Sequence, residues 1–209
     1  MKPTLYYAPG VCSLASHIAF EEAGADVQYV RLDLAKGDSR QSDYLAMNPK
    51  GRVPLVVTEK GRLTESPAIL AWIAQSWPEA QLAPLNDPWA LAQVNSFNAY
   101  LSGTLHGQAF AGIFRPARFA DGEAGEAAVK GKAYQTLRET MDIIENKLGD
   151  DGWVHGDYST SDPYLMVLAG WLANTELHLE AFPKLSAHTR RVRARPAVQR
   201  AFAAEGLPV

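Results

Sequence analysis

The chain contains a single cysteine, Cys12, where a short apolar segment gives way to a run with helical spacing. Free N–H groups and the positive dipole end at a helix N-terminus can stabilise a thiolate and lower the pKa of a cysteine there. A buried structural cysteine fits this position equally well. Because Ala15 stands where a CxxC motif would have its second cysteine, internal dithiol exchange is excluded. Attack on an external disulfide and stabilisation of a bound thiolate are the chemistries that stay open.

A second candidate is the segment at residues 48–54, NPKGRVP, which precedes an apolar strand. Proline cannot donate a ladder hydrogen bond, so Pro54 suits no central strand position. A cis peptide bond between Val53 and Pro54 would turn the backbone of Val53 outward, where an extended ligand could pair with it as an added strand. From composition alone an ordinary turn is favoured, since only about one X–Pro bond in twenty is cis.

Glu65, Ser66 and a proline open the next predicted helix. Ser66 can cap this helix, or its hydroxyl and N–H can bind a carboxylate at the helix N-terminus. Glu65 could accept hydrogen bonds from a ligand ammonium group. A capped helix start is the commoner interpretation, and ligand binding is the hypothesis beside it.

His106 belongs to a stripe of side chains on the first long predicted helix. Phe110 and Phe114 follow it at steps of four residues, and Asn98 and Ser102 precede it on the same face. A face that changes from polar to aromatic could line a cleft for an apolar substrate. A core helix with one hydrogen-bonded histidine would produce the same pattern.

Composition excludes several classes of protein. The 209 residues are 47% hydrophobic and 21% charged, which is typical of one large or two small globular domains and not of a disordered chain. The net charge of −3 argues against a nucleic-acid partner. The longest apolar stretch, at residues 165–173, is about half of the roughly 20 residues that a membrane helix needs, so no membrane partner is expected. One cysteine and no visible targeting segment predict a cytoplasmic protein.

Metal and nucleotide sites are not predicted. The other histidines, His17, His155, His178 and His188, show no metal-ligand spacing. Neither glycine-rich nucleotide-binding motif occurs in the sequence. Four arginines lie at residues 190–195, and a solvated helix face explains them better than nucleic-acid binding does.

Strand and helix signals alternate before about residue 80 and predict an α+β domain of order βαβ-ββα with a mixed four-stranded sheet. The predicted strands are Thr4–Tyr7, a segment holding Val30, Leu32 and Leu34, Leu55–Thr58 and residues 62–64, and the predicted helices are residues 12–23, 41–47 and 66–77. Residues 82–88, rich in Pro, Asn and Asp, predict a linker.

Beyond the linker the pattern is all-helical, with helices expected at residues 89–114, 129–148, 165–172, 183–193 and 196–204. Ser159 and Asp162 have the spacing of a capping box, with Ser159 as the cap and Asp162 bonding back to the cap N–H. This motif predicts that the two residues stabilise the fold and take no part in catalysis.

Five segments in order, LYYAPGVCSLASHIAFEEAG, NPKGRVP, TESPAILAWIA, LSGTLHGQAF and YSTSDPYL, carry a resemblance. The chain resembles the cytosolic glutathione transferases, most of all the bacterial beta class, along essentially its whole length. The resemblance implies a thioredoxin-like domain at residues 1–80 that binds glutathione. It also implies an all-helical domain at residues 88–209 that forms most of a hydrophobic substrate site.

The same resemblance assigns roles to residues. Cys12, Ser13 and His106 would be catalytic. Val53 would pair with the cysteinyl unit of glutathione beside a cis Pro54. Glutathione would further contact Lys36, Lys50, Arg52, Glu65, Ser66 and Asn98, and the hydrophobic substrate site would include Pro9, Phe110, Phe114 and Trp171. Two departures matter, because beta-class relatives often carry Lys where Gly107 stands and Asn where Ala99 stands.

The expected protein is therefore a homodimeric glutathione transferase that conjugates glutathione, its co-substrate, to small apolar electrophiles without a metal. Thiol–disulfide exchange through Cys12 is a second expected activity. Two alternatives remain beside it: a glutathione-dependent reductase or dehalogenase, and a ligandin-like carrier that binds apolar molecules without turnover. The sequence names no electrophile, since a fold does not fix a substrate.

Overall fold

The computed structural model describes residues 2–208. Its sheet holds four strands, β1 (Thr4–Tyr7), β2 (Gln28–Arg31), β3 (Leu55–Thr58) and β4 (Gly61–Thr64), in the order β2-β1-β3-β4. β1 runs parallel to β2, and β3 runs antiparallel to both β1 and β4. The predicted mixed four-stranded sheet and its βαβ-ββα order are confirmed.

β2 lies earlier in the chain than the alternation of Val30, Leu32 and Leu34 predicts, because it ends at Arg31. The Leu32 N–H still donates to the Tyr7 carbonyl at 2.8 Å, but the chain turns directly afterwards. The Asp33 carboxylate accepts the backbone N–H groups two and three residues further on at 3.0 and 3.1 Å. Such a local side-chain turn competes with strand pairing and so ends the strand.

Three helices accompany the sheet: α1 (Ser13–Glu22), α2 (Ser42–Met47) and α3 (Ser66–Ser76). The first eight residues of α1 are all buried, because α1 packs against α3 on one side and against later helices on the other. Leu5 of β1 and Ile18 of α1 are completely buried in the larger core, whereas Leu55 belongs to a smaller one with Tyr44. The first segment thus places its helix N-terminus, just after Cys12, at the end of β1.

The second part of the chain is helical. Its helices are α4 (Pro88–Tyr100), α5 (Ala111–Phe114), α6 (Gly122–Lys147), α7 (Ser161–Gly170), α8 (Pro183–Arg193) and α9 (Pro196–Glu205). The stretch Leu101–Phe110 joins α4 to α5 as a π-helix, so the long helix expected at residues 89–114 is continuous but widened in its second half. Among the described residues, no helix combines the length and apolar character that crossing a bilayer requires.

The predicted bond between Asp162 and the Ser159 N–H at the start of α7 is confirmed, although the residue directly before the helix is Thr160 and not Ser159. The Ser159 N–H donates to the Asp162 carboxylate at 2.8 Å, and the Ser159 hydroxyl accepts the Ser161 N–H at 3.3 Å. Asp162 also accepts the Val154 N–H at 2.9 Å and contacts His188 Nε2 at 2.8 Å. The box therefore ties α7 to α8 as well as closing the end of α7.

Candidate active site

Two adjoining cavities lie where the sheet domain meets the long helix. The polar cavity, of about 630 Å³, is lined by Cys12, Arg40, Asn48, Lys50, Arg52, Val53, Pro54, Thr64, Glu65, Ser66, Ser102, His106, Gly107, Ala111, Arg118, Phe119 and Tyr164. The aromatic cavity, of about 490 Å³, is lined by Gly10, Val11, Cys12, Leu34, Ser39, Arg40, Gly51, Arg52, Val53, His106, Phe110, Ala111, Phe114, Arg115, Arg118, Trp171 and Asn174. Cys12, Val53 and His106 border both, so a molecule bound in one cavity can react with a molecule in the other.

Cys12 and Val53 form the boundary between the cavities. The peptide bond between Val53 and Pro54 is cis, as the resemblance implied. The Cys12 thiol donates to the Val53 carbonyl at 3.5 Å.

Burial raises the pKa of the Cys12 thiol to about 11, although the Ser66 hydroxyl and the N–H groups of Cys12 and Ser13 act against that rise. Of the two alternatives for Cys12, the buried cysteine describes this pKa better: the helix N-terminus acts to lower the pKa, but desolvation outweighs the helix donors.

The corner at Glu65 and Ser66 holds both signs of charge. Lys50 Nζ donates to the Glu65 carboxylate at 2.7 Å and to the Thr64 hydroxyl at 2.8 Å. Glu65 has φ 72°, a conformation that costs a side-chain-bearing residue about 1–3 kcal/mol and that clusters at binding sites. Ser66 follows as the first residue of α3, so free helix N–H groups lie beside this ion pair. A group with both an ammonium and a carboxylate fits this corner.

An aromatic wall faces the other cavity. Trp171 lies with its ring centre 4.9 Å from that of His106 and 5.3 Å from that of Phe110, and Phe114 stacks on Phe110 at 5.6 Å. The predicted common face of His106, Phe110 and Phe114 is thus confirmed. Trp171 Nε1 also donates to the Gly10 carbonyl at 3.0 Å, which fixes the wall to the loop before Cys12.

Burial lowers the pKa of His106 to about 4, and Arg115, Arg52 and Arg118 lower it further. His106 is therefore neutral at pH 7 and offers a hydrogen-bonding ring with no positive charge.

The π-helical turn explains how one helix serves both cavities. Its cavity-lining residue Ser102 is followed four and five positions later by His106 and Gly107, and Ala111, just after the π-helix, lies five and four positions beyond these two. A Cβ at Gly107 would lie 3.0 Å from the Ser102 carbonyl oxygen, so the turn is tight at this position. The sequence predicts that Ser102 and His106 share one helix face, but it gives no signal for the wider π-helical turn.

Tyr164 is a site residue that sequence reasoning missed. It lies in α7, is completely buried and lines the polar cavity, and its hydroxyl has no hydrogen-bond partner among the residues that the structure describes. Burial is the main reason that its pKa is raised, so the phenol keeps its proton. Its apolar helical surroundings in the sequence look like an ordinary core, and only the fold brings this hydroxyl beside Cys12.

Two predicted site residues are directed into the protein interior. Ser13 is fully buried, and its hydroxyl is 3.1 Å from both the N–H and the carbonyl oxygen of Ala8, so its side chain is engaged away from both cavities. Asn98 is buried and donates to the Thr160 hydroxyl at 3.2 Å. Neither lines a cavity, because each hydrogen-bonds a neighbouring segment; only the Ser13 N–H stays close to the Cys12 thiol.

Two further expectations differ from the structure. Lys36 has an 80% exposed side chain 3.5 Å from Asp33 and lines neither cavity, because its turn directs it into solvent. Pro9 also lies outside both linings, where Gly10 and Val11 take its place. Within residues 2–208, no group of three or more His, Cys, Asp or Glu side chains could hold a metal ion.

Comparison with known proteins identifies the family. Residues 1–75 match the N-terminal domain of the glutathione S-transferases, and residues 103–196 match their C-terminal domain. The chain is 36% identical over 207 residues to glutathione S-transferase GstA of Escherichia coli O157:H7, covering 97% of this chain and 98% of that protein.

Two solved structures extend the match. A glutathione transferase homologue from Sulfitobacter with bound glutathione has a TM-score of 0.91 at 36% identity, covering 99% of both chains. The beta-class enzyme of Sphingomonas chungbukensis has a TM-score of 0.84 at 34% identity, covering 98% of this chain and 100% of that one. With its thioredoxin-like sheet domain, helical second part and this similarity along the whole chain, the protein belongs to the glutathione S-transferase family.

Proposed function

We propose that glutathione binds extended in the polar cavity, with its cysteinyl unit on the backbone of Val53 and its γ-glutamyl end at Glu65 and Ser66. The observation that carries this proposal is the corner described above. It supplies a carboxylate for the ligand ammonium and helix N–H groups for the ligand carboxylate. In this pose the glutathione sulfur lies near three residues that line the polar cavity, Cys12, His106 and Tyr164. Cys12 and His106 also line the aromatic cavity.

The nucleophile in conjugation is the sulfur of glutathione itself. Cys12 is buried with a raised pKa, so it stays protonated at pH 7 and is a poor nucleophile. The Tyr164 hydroxyl and the N–H groups at the start of α1 can donate to a glutathione thiolate and so favour loss of its proton. The thiolate then forms a C–S bond with the electrophilic carbon, and the leaving group departs with its electron pair.

Thiol–disulfide exchange through Cys12 is a second, slower activity. Cys12 borders both cavities, so its sulfur can meet a bound oxidised glutathione. The Cys12 sulfur would form an S–S bond with one glutathione half and release the other as a thiolate, which takes up the proton that Cys12 loses. No other cysteine exists in the chain, so the mixed disulfide persists until an external thiol reduces it.

The central experiment measures glutathione binding by calorimetry and conjugation of 1-chloro-2,4-dinitrobenzene by wild type, Tyr164→Phe and Cys12→Ala. Tyr164→Phe keeps the packing and removes one donor, so we expect kcat to fall about tenfold or more and the apparent pKa of bound glutathione to rise. Cys12→Ala should keep conjugation. No saturable binding at millimolar glutathione would overturn the proposal, and loss of conjugation in Cys12→Ala with binding intact would make Cys12 the activating group.

Intact-mass spectrometry tests the exchange activity. Native protein treated with oxidised glutathione should gain one glutathionyl group that reductant removes, and Cys12→Ala should gain none. A native chain that reacts only after unfolding would exclude Cys12 from the mechanism.

The division into residues 1–80 and 88–209, the homodimer and the cytoplasmic location are also part of this proposal. Trp89 of α4 is 74% exposed and Ile143 of α6 is 56% exposed, which supports coverage of these helices by a second copy. The lone cysteine supports a reducing compartment, where removal of reactive electrophiles would be the role. Light scattering at micromolar concentration should give the mass of two chains; the mass of one chain would exclude the dimer.

A further inference from the structure

We propose that the second substrate of this enzyme is an aromatic electrophile that carries an anionic group, recognised by Arg115 and Arg118. The inference rests on the proposed glutathione site and names the substrate class of the adjoining aromatic cavity. Four guanidinium groups border that cavity, from Arg40, Arg52, Arg115 and Arg118.

The charge of these arginines is not neutralised within the described part of the chain. No carboxylate side chain lines the aromatic cavity there, and Glu65 is the acidic residue that lines the polar one. None of the four guanidinium groups has a hydrogen bond or ion pair with another residue between 2 and 208. Arginines elsewhere behave differently, since Arg195 bonds Glu22 and Arg200 bonds Glu21.

The four groups also act on one another. Burial lowers the pKa of Arg118, and the neighbouring charges of Arg115, Arg52 and Arg40 lower it further. Arg115, Arg52 and Arg118 likewise oppose protonation of His106. Because like charges held together are unfavourable, this cluster favours an anionic ligand.

Bound glutathione accounts for only part of this charge. Arg52 precedes Val53 directly, and Arg40 borders the same two cavities, so these two lie on the sheet domain where the glycine end of extended glutathione would pass. That end brings one carboxylate. Arg115 and Arg118 instead belong to the helical part of the chain, in the turn that follows α5 and the aromatic face of the long helix. Arg115 lines the aromatic cavity alone, and Arg118 lines both cavities.

Arg115 and Arg118 therefore adjoin the wall of Phe110, Phe114 and Trp171. An aromatic ring can lie on this wall while a planar carboxylate or a sulfonate pairs with the guanidinium groups, which bind such anions with two parallel hydrogen bonds. The reacting carbon would then point toward the boundary at Cys12 and Val53, where the glutathione sulfur is expected. The cavity thus fits an amphipathic anion better than a wholly apolar molecule.

The test uses two electrophiles that differ in charge, 4-chloro-3,5-dinitrobenzoate and its methyl ester. In both, glutathione thiolate forms the C–S bond and chloride leaves with the C–Cl electron pair. Rates are corrected for the uncatalysed reaction and compared for wild type, Arg115→Gln, Arg118→Gln and the double variant. Arg138→Gln is the matched control, because Arg138 is an exposed arginine of α6 that lines neither cavity.

We expect wild type to prefer the benzoate, and the double variant to lose about tenfold in kcat/KM for it, mainly through KM. The ester should change less than twofold in every variant, and Arg138→Gln should match wild type with both probes. Raising salt to roughly 0.5 M should reduce the preference of wild type, because exposed charges are screened.

Equal losses for both probes, or no preference in wild type, would overturn the inference. A rise in KM for glutathione in the double variant with the ester would overturn it too, by assigning these arginines to glutathione. Conjugation of both the benzoate and the ester at wild-type rates in all variants would refute only the anionic substrate, whereas absence of glutathione binding by calorimetry would refute the proposed function itself.

Discussion

Two buried histidine–carboxylate pairs lie in different regions of the molecule and have nearly the same local chemistry. His17 Nδ1 lies 2.8 Å from Glu205 Oε1, and His188 Nε2 lies 2.8 Å from Asp162 Oδ1. All four side chains are at most 2% exposed, and the second ring nitrogen of each histidine has no partner in the described part of the chain. The pairs differ in what the remaining carboxylate oxygen holds.

Asp162 uses its other oxygen for the N–H and hydroxyl of Ser159, at the start of a helix in the core. Glu205 uses its other oxygen for the Gly10 N–H at 2.9 Å, in the lining of the aromatic cavity. Both pairs join two helices, since His17 lies in α1 and Glu205 ends α9, but only the pair of Glu205 also fixes a wall of the active site. The comparison shows that the role of a buried histidine–carboxylate pair follows from its third partner and not from the pair itself.

Asp162→Ala should have the largest effect, because it removes the helix cap and leaves His188 buried without its partner. We expect a loss of about 3–5 kcal/mol in the free energy of unfolding. At this chain length each kcal/mol corresponds to roughly 2–4 °C in Tm, so thermal and denaturant unfolding measure it readily. Folded Asp162→Ala should bind glutathione like wild type, and an unchanged Tm would contradict the assignment of the cap.

A third histidine, His106, has no carboxylate partner within residues 2–208, and its titration extends the comparison to the pH dependence of stability. Its pKa in the folded chain is about 4, below the usual 6.5, so the unfolded chain takes up its proton first as the pH falls. The free energy of unfolding is therefore highest above pH 6.5 and decreases as the pH falls toward 4, with a loss of about 2 kcal/mol at pH 5. Denaturant unfolding at pH 7 and pH 5 should show a smaller loss for His106→Gln, and equal losses would refute the lowered pKa.

Glu205→Gln should affect the site as well as the fold. The amide oxygen can accept only part of what the carboxylate accepted, so we expect about 1–2 kcal/mol lower stability. Because Gly10 lines the aromatic cavity, the KM for the electrophile should also rise, with the affinity for glutathione changing less. Asp162→Asn is the matched control, and its loss of stability should come without a rise in that KM. If both variants changed the KM equally, the two regions would not differ as proposed.

Trp171→Phe should have the smallest effect. It removes the indole N–H that holds the Gly10 carbonyl and keeps an aromatic ring beside His106. We expect about 1 kcal/mol lower stability and a loss of a few-fold in kcat/KM for an aromatic electrophile. Steady-state kinetics with matched unfolding curves measure both. If Trp171→Phe lowered kcat/KM more than Glu205→Gln does, the hydrogen bond to the Gly10 carbonyl would restrain this loop more than the bond from the Gly10 N–H.

Much of the fold follows from local patterns. Alternation and helical spacing locate most strands and helices, and the spacing of Ser159 and Asp162 predicts the box that the structure contains. The same patterns place His106 and Phe110 on one face, because a helical face depends on spacing alone. The cis peptide bond before Pro54 came from the resemblance and not from composition.

Other properties depend on the surroundings that the whole fold creates. The raised pKa of Cys12 results from burial by several elements, which outweighs the helix end that the local sequence suggests. Ser13 and Asn98 are polar residues that point into the protein because they hydrogen-bond there, Ser13 to the backbone of nearby Ala8 and Asn98 to the side chain of distant Thr160. The sequence around Tyr164 predicts a core residue, and its hydroxyl belongs to the site only because α7 packs beside the polar cavity.

The π-helical turn at Leu101–Phe110 has a consequence for how this enzyme can diversify. A π-helical segment holds more residues per turn than the α-helix on either side, and so it can absorb the loss of a residue by tightening to the ordinary pitch. Such a deletion would rotate His106 relative to Phe114 without breaking the helix. Evolution or protein design could therefore reorient the residues between the two cavities by shortening this helix by one residue, while the rest of the fold is retained.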